Sequence, residues 1–151
     1  KVRMANIYLG VGSVTGTAKA VAEVLRQQIE TAGHSVVVDD NATLAALNSQ
    51  PWDGIIVCTS STGKGQIPRN LVSFYNELGE ILPDLAKIKF GVIALGDSSH
   101  ANFCGAGELV ENRFKELQAQ CLVPKVTIDA TETKTPERDA KFWLKEFLAA
   151  I

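Results

Sequence analysis

Two uninterrupted apolar runs, Gly54–Thr59 (GIIVCT) and Lys89–Leu95 (KFGVIAL), constrain this chain more than any other feature. A strand with one wet face alternates apolar and polar residues. These runs do not alternate, so each reads as a strand covered on both faces. Such strands belong to parallel sheets, whose crossovers are helices. The neighbouring segments fit. Asn6–Gly12 is a third short apolar run, and His34–Asp40 (HSVVVDD) is β-branched. Thr15–Ala32 carries Ala18, Val21, Ala22, Leu25 and Ile29 at helical spacing, and Gly33 follows as a stop signal. Leu44–Leu47 is at most a short helix. Helices are predicted near Arg69–Ile81, from about Gly107 to Ala119, and near Glu137–Ala150 behind Pro136. Lys125–Ala130 (KVTIDA) completes five strands and about five helices. His34, between a helix and a strand, reads as surface.

A chain of 151 residues suffices for one domain with a real core and is too short for two. The domain is expected over residues 4–151, with residues 1–3 a remnant ahead of a natural start at Met4. A net charge of −2 leaves no basic footprint for nucleic acid. No run of eighteen apolar residues exists to span a membrane. Cys58, Cys104 and Cys121 are odd in number, far apart and without metal spacing. A reduced cytoplasmic compartment is the simple expectation.

In open parallel sheets the ligand sits beyond the carboxyl ends of the strands. Three loops lie there. The first, Gly12-Ser13-Val14-Thr15-Gly16-Thr17, combines glycines with hydroxyls and opens a helix. It lacks the Gly-Lys-Ser/Thr ending of a nucleotide P-loop. It reads either as a Ser/Thr helix cap or as an anion site built from backbone N–H groups. Lys19, one turn on, is either a phosphate neighbour or a solvated charge. The second loop is Thr59-Ser60-Ser61-Thr62-Gly63-Lys64-Gly65-Gln66-Ile67-Pro68. The third, LGDSSHANFCG over residues 95–105, offers Asp97, Ser98 or Ser99 as helix caps. One such loop means little, but three at one sheet edge mark a site.

Taken together the three loops resemble those of short-chain flavodoxins, over nearly the whole chain. The most specific segment is Gly96-Asp97-Ser98-Ser99 followed by Asn102-Phe103-Cys104-Gly105. The resemblance implies a three-layer α/β sandwich with a five-stranded parallel sheet of order 2-1-3-4-5, helices on both faces, and FMN as cofactor. No extra segment is expected to interrupt strand five.

The resemblance also assigns roles. Ser13, Thr15, Gly16 and Thr17 match phosphate-holding positions, with Val14 and Ala18 contributing backbone N–H groups. Ala18 stands where the family usually carries a hydroxyl. Ser60 matches a further phosphate-side hydroxyl, and Ser61 lies beside it. Gly63 matches the glycine whose peptide turns toward the flavin on one-electron reduction. Thr62 and Lys64 stand where a tryptophan and an acid are common. Asp97, Asn102 and Cys104 match backbone groups that bond the pyrimidine edge, with Phe103 between them. His100 replaces the usual stacking tyrosine. The implied function is single-electron transfer between a NADPH-dependent flavoprotein reductase and an acceptor redox enzyme. Docking would be transient, and the carrier a monomer rather than an enzyme.

Other functions fit the residues less well. Gly10-x-Gly12-x-x-x-Gly16 with Asp39 and Asp40 also resembles a dinucleotide fingerprint, but leaves two loops unexplained. A response-regulator receiver would need an aspartate ending the third strand, where this chain has Cys58-Thr59. An FMN-dependent reductase or accessory redox protein acting on a bound substrate is the remaining alternative.

Overall fold

The structure is a computed structural model that describes residues 4–151, so the remnant expected at Lys1 to Arg3 lies outside the described residues. Its elements, in chain order, are β1 (Asn6–Gly12), α1 (Thr17–Thr31), β2 (Ser35–Asp39), α2 (Leu44–Leu47), β3 (Gly54–Thr59), α3 (Arg69–Ile81), β4 (Lys89–Gly96), α4 (Gly105–Glu116), β5 (Gln120–Cys121), β6 (Val126–Asp129) and α5 (Pro136–Ala150). All strand pairings are parallel, in the order β2-β1-β3-β4-β5, with β6 also on β4.

Strand periodicity divides the core. Successive side chains point to opposite faces. Ile7, Leu9, Ile56, Cys58, Ile93 and Leu95 therefore meet α1 and α5, in a cluster completed by Val21, Leu25, Trp143 and Phe147. Tyr8, Ile55, Val57, Phe90 and Val92 meet α2, α3 and α4 through Leu47, Phe74 and Phe114. Each large side chain so buried contributes about 1.5–3 kcal/mol. Phe114 stands edge-on to Phe90, with ring centroids 5.0 Å apart. Gly91 is needed in β4 because a Cβ there would lie 2.5 Å from the Trp143 ring. Among the described residues no helix is long and apolar enough to cross a membrane.

The strand expected over Lys125–Ala130 is present as β6, and a short β5 that was not expected precedes it on the same edge of β4. Phe90 pairs with Cys121 and Ile93 with Val126, so three steps along β4 match five along the partner. The two extra residues split one strand into β5 and β6. Pro124, without an N–H, cannot extend the ladder. The bulge has its own uses. The Pro124 carbonyl accepts from Trp143 Nε1 at 2.9 Å, and Lys125 Nζ reaches the buried Glu111 carboxylate at 3.3 Å.

Helix ends differ for reasons the sequence hides. α4 stops at Glu116 because Gln118 takes a left-handed φ of 73°, and the Ala119 N–H closes back on Phe114. That is a glycine-type stop without a glycine. His34 is more than surface: its Nδ1 accepts from the Ala5 N–H at 2.9 Å.

Candidate functional site

The carboxyl ends of β1, β3 and β4 lie side by side and deliver the three loops to one cleft of about 570 Å³. That volume suits a small-molecule cofactor. Its lining is largely apolar, with Leu95 and Ile128 buried and Phe103 partly exposed.

The first loop is shaped by Gly16, whose φ of 95° turns the chain into α1. The Ser13 hydroxyl accepts from the Gly16 N–H at 2.9 Å and so braces the loop internally. It does not cap the helix: α1 has no side-chain cap. The N–H groups of Val14, Thr15, Thr17 and Ala18 have no acceptor among the described residues. Such a nest at a helix start is an anion site, with the helix dipole adding about half a positive charge. Thr15 and Thr17 line the cleft, whereas Ala18 is fully buried behind them. Lys19 lines neither this cleft nor the groove beside it; its Nζ lies 3.0 Å from Asp40.

Beneath this loop stands a residue that sequence reading missed. Asn70, on α3, accepts from the Ser13 N–H and donates to the Val11 and Asp40 carbonyls, each at 2.9 Å. Nothing local marks it, because its partners are distant in sequence.

The second and third loops are joined to each other. Ser61 Oγ accepts from the Ala106 N–H at 3.1 Å, supplying α4 with the cap that neither Asp97, Ser98 nor Ser99 provides. Asn102 Nδ2 donates to the Lys64 carbonyl at 2.7 Å. Gly65 and Gly105 touch backbone to backbone: a Cβ on Gly105 would fall 2.7 Å from the Gly65 carbonyl oxygen. Asn102 and Cys104 both sit at φ 55°. That geometry suits asparagine better than cysteine. Residues 62–66 close a tight turn through reciprocal Thr62–Gln66 backbone bonds.

In the third loop the Asp97 carboxylate accepts from the Ser99 N–H and hydroxyl, which holds it below the usual carboxylate range. His100 Nε2 lies 3.7 Å from Asp97, and its ring is two-thirds exposed. Burial pushes the Cys104 thiol up to about 11, so it is a packed side chain rather than a nucleophile. Burial likewise pushes Cys58 up to about 12. The N–H groups of Asp97, Asn102 and Cys104 have no acceptor among the described residues.

The cleft therefore brings together Thr15 and Thr17 from the first loop with Ser60, Ser61 and Gly63 from the second. Asp97, His100, Asn102, Phe103 and Cys104 complete it from the third. Ser13, Val14 and Thr62 line a neighbouring groove against α3 instead. Gly16 and Lys64 line neither, and Lys64 is exposed at the turn tip. A fourth wall was not anticipated. The segment after β6 adds Ala130, Thr133, Lys134 and Pro136. It is organised by Asp129, whose Oδ1 accepts from the Ser98 and Thr131 N–H groups at 3.0 and 2.9 Å. Hydrogen bonding around Ser98 and Thr131 pulls the Asp129 carboxyl down to about 2. Among the described residues no cluster of His, Cys, Asp and Glu could hold a metal ion.

The donor set fits a phosphorylated flavin. Free amides at a helix start could hold an anion, free amides in the third loop could hold a ring with acceptor edges, and Leu95 and Ile128 add apolar surface to the same cleft. Comparison with known proteins agrees. A family model described as flavodoxin matches residues 9–143. Flavodoxin YqcA of Pectobacterium carotovorum is 37% identical over 142 residues, covering 94% of each chain. A solved structure of a cysteine-to-serine mutant of flavodoxin from Pseudomonas aeruginosa is 39% identical, with a TM-score of 0.90 over 96% of this chain and 97% of that one. The sulfite reductase [NADPH] flavoprotein alpha-component of Neisseria meningitidis is 37% identical over 140 residues, 92% of this chain but 22% of that protein.

Proposed function

The chain belongs to the flavodoxin family, an FMN-binding electron-transfer protein, and we propose that it carries single electrons from a NADPH-dependent flavoprotein reductase to an acceptor redox enzyme. The reading rests on one observation. Thr15 and Thr17 of the first loop and Asp97, Asn102 and Cys104 of the third, all with unpartnered amides, line a single cleft. Bound FMN supplies one-electron redox chemistry. The residues supply position and environment. The first loop holds the phosphate by charge-assisted bonds, each stronger than a neutral one. The third loop's amides orient the ring edge, Leu95 and Ile128 keep water from its inner side, and His100 stacks at the mouth. The Gly63 peptide, at φ 50°, is free to turn as the flavin changes charge.

The NADPH-linked supply is supported by the likeness to one segment of the larger Neisseria flavoprotein. The three free cysteines suit a reducing cytoplasm. Docking is transient and monomeric, and a net charge of −2 gives weaker long-range steering than a strongly acidic carrier would have.

The test is an FMN titration of the purified chain, followed by anaerobic reduction with NADPH and a catalytic amount of a flavoprotein reductase. A yellow, stoichiometric complex reduced in two separable one-electron steps is expected. Absence of flavin uptake defeats the reading. Uptake with direct NADPH oxidation, without added reductase, would instead favour an FMN-dependent enzyme.

A further inference from the structure

We propose that Lys134 is the cation at the phosphate end of the cleft, and that through it this chain distinguishes FMN from the unphosphorylated flavin. The inference deepens the FMN-binding reading and rests on it.

The first loop is rich in amides but poor in charge. Ala18 brings no hydroxyl, Ser13 Oγ is engaged with the Gly16 N–H, and Lys19 is held by Asp40. A phosphate monoester carries a charge between about −1.5 and −2 at pH 7. The helix start answers with only about half a positive charge. A full cation is missing from that wall.

Lys134 stands where it can supply one. It lines the same cleft as Thr15 and Thr17, while Lys64 lies outside it. No carboxylate of the described residues lies within ion-pair distance of its ammonium. Its backbone is held on both sides. Upstream, the Glu132 and Thr133 N–H groups donate to the Asp129 carbonyl, and Asp129 Oδ1 takes the Thr131 N–H. Downstream, the Thr135 N–H donates to Thr133 Oγ1 at 3.0 Å, and Pro136 starts α5. α5 packs directly on α1, the helix whose first amides form the anion nest. A flexible stem on a fixed backbone suits a point charge that follows a phosphate.

The test measures dissociation constants of FMN and riboflavin for the flavin-free full chain and its Lys134→Gln and Lys134→Arg variants, at low and physiological salt. Lys134→Gln is expected to weaken FMN by about 5- to 10-fold at low salt, less at higher salt, and to leave riboflavin unchanged. Lys134→Arg should restore most of the loss. Equal weakening of both flavins, or no change in FMN, overturns the proposal. A wild-type chain that binds riboflavin and FMN alike also overturns it, whereas one that binds neither overturns the FMN reading itself.

Discussion

The loop over residues 12–17 is anchored from beneath by the Asn70 side chain, whereas the loops over 60–66 and 97–105 lean on one another. The first arrangement ties a turn to a helix that is itself packed in the core through Leu71 and Phe74. The second is a seam between two surface segments, closed by Asn102, Ser61 and a glycine pair. The difference teaches that the first loop is fixed by a packed helix, while the wall between the second and third loops depends on the seam as well as on the Asp129 tie to Ser98.

Opening the seam is the most severe way to break this contrast. A Cβ on Gly65 would lie 2.6 Å from both Cβ and the carbonyl oxygen of Asn102, at a φ of 87°. Gly65→Ala is expected to cost about 2–3 kcal/mol in denaturant unfolding. FMN affinity should fall by about 100-fold or more. Gly16→Ala is the counterpart at the other end. Its φ is 95°, but nothing lies within 4 Å of the new methyl, so only backbone strain of about 1–2 kcal/mol is added. Equal losses for the two variants would remove the contrast.

The two anchoring asparagines sharpen it at lower cost. Asn70→Ala leaves the Ser13 N–H and the Val11 carbonyl without their partner, worth about 1–3 kcal/mol. Its binding defect should appear with FMN and not with riboflavin. Asn102→Ala loses the bond to the Lys64 carbonyl and leaves alanine at φ 55°, about 1–2 kcal/mol. Its defect should appear with both flavins. Paired fluorescence titrations check this, and a matching defect profile for the two variants would refute it.

These anchors also show what sequence can carry. The period-2 division of β1, β3 and β4 between two apolar clusters is written in neighbouring residues, so the sheet was legible. The three loops were legible because each follows its strand directly. Asn70, Ser61 as a cap for α4, and the Lys64–Asn102 tie were not, since partners 30 to 59 residues apart leave no local pattern. The wall at Thr133 and Lys134 was hidden for a related reason. Asp129 ties that segment to Ser98, 31 residues away in sequence. Gln118 and Leu82, both at positive φ, ended helices where no glycine announced it.

Acid should test the tie between the third loop and that added wall. Asp129 has a folded carboxyl pulled down to about 2, chiefly by hydrogen bonding with Ser98, against about 3.9 when unfolded. A depressed acid contributes stability above its unfolded value and loses it as pH falls through the folded one. The tie should thus be complete above about pH 4 and fade toward pH 2. Hydrogen exchange at the Ser98 and Thr131 amides should report this local loosening. Asp129→Asn keeps an acceptor but no titration at that site, so its amides should lack the step. An unchanged profile in Asp129→Asn would assign the acid response elsewhere, Asp97 being the other depressed carboxyl of that loop.

The smallest effect concerns the seam's exposed tip. Lys64 lends its carbonyl to Asn102 while its ammonium stays in solvent, so its charge can be reversed without opening the seam. Two unit charges separated by about 7 Å, at an effective dielectric of about 20, interact by roughly 2 kcal/mol, and a bound flavin beside this turn would feel about half of that after screening at an exposed site. About 1.4 kcal/mol corresponds to 59 mV for one electron. Lys64→Asp should therefore move the second one-electron potential more negative by tens of millivolts, because the added electron meets a nearby carboxylate in place of a cation. Stability and riboflavin affinity should stay near wild type, in contrast to Asn102→Ala. A potential that does not fall, in redox titrations with optical detection, would mean that the tip is electrically remote from the ring it helps to enclose.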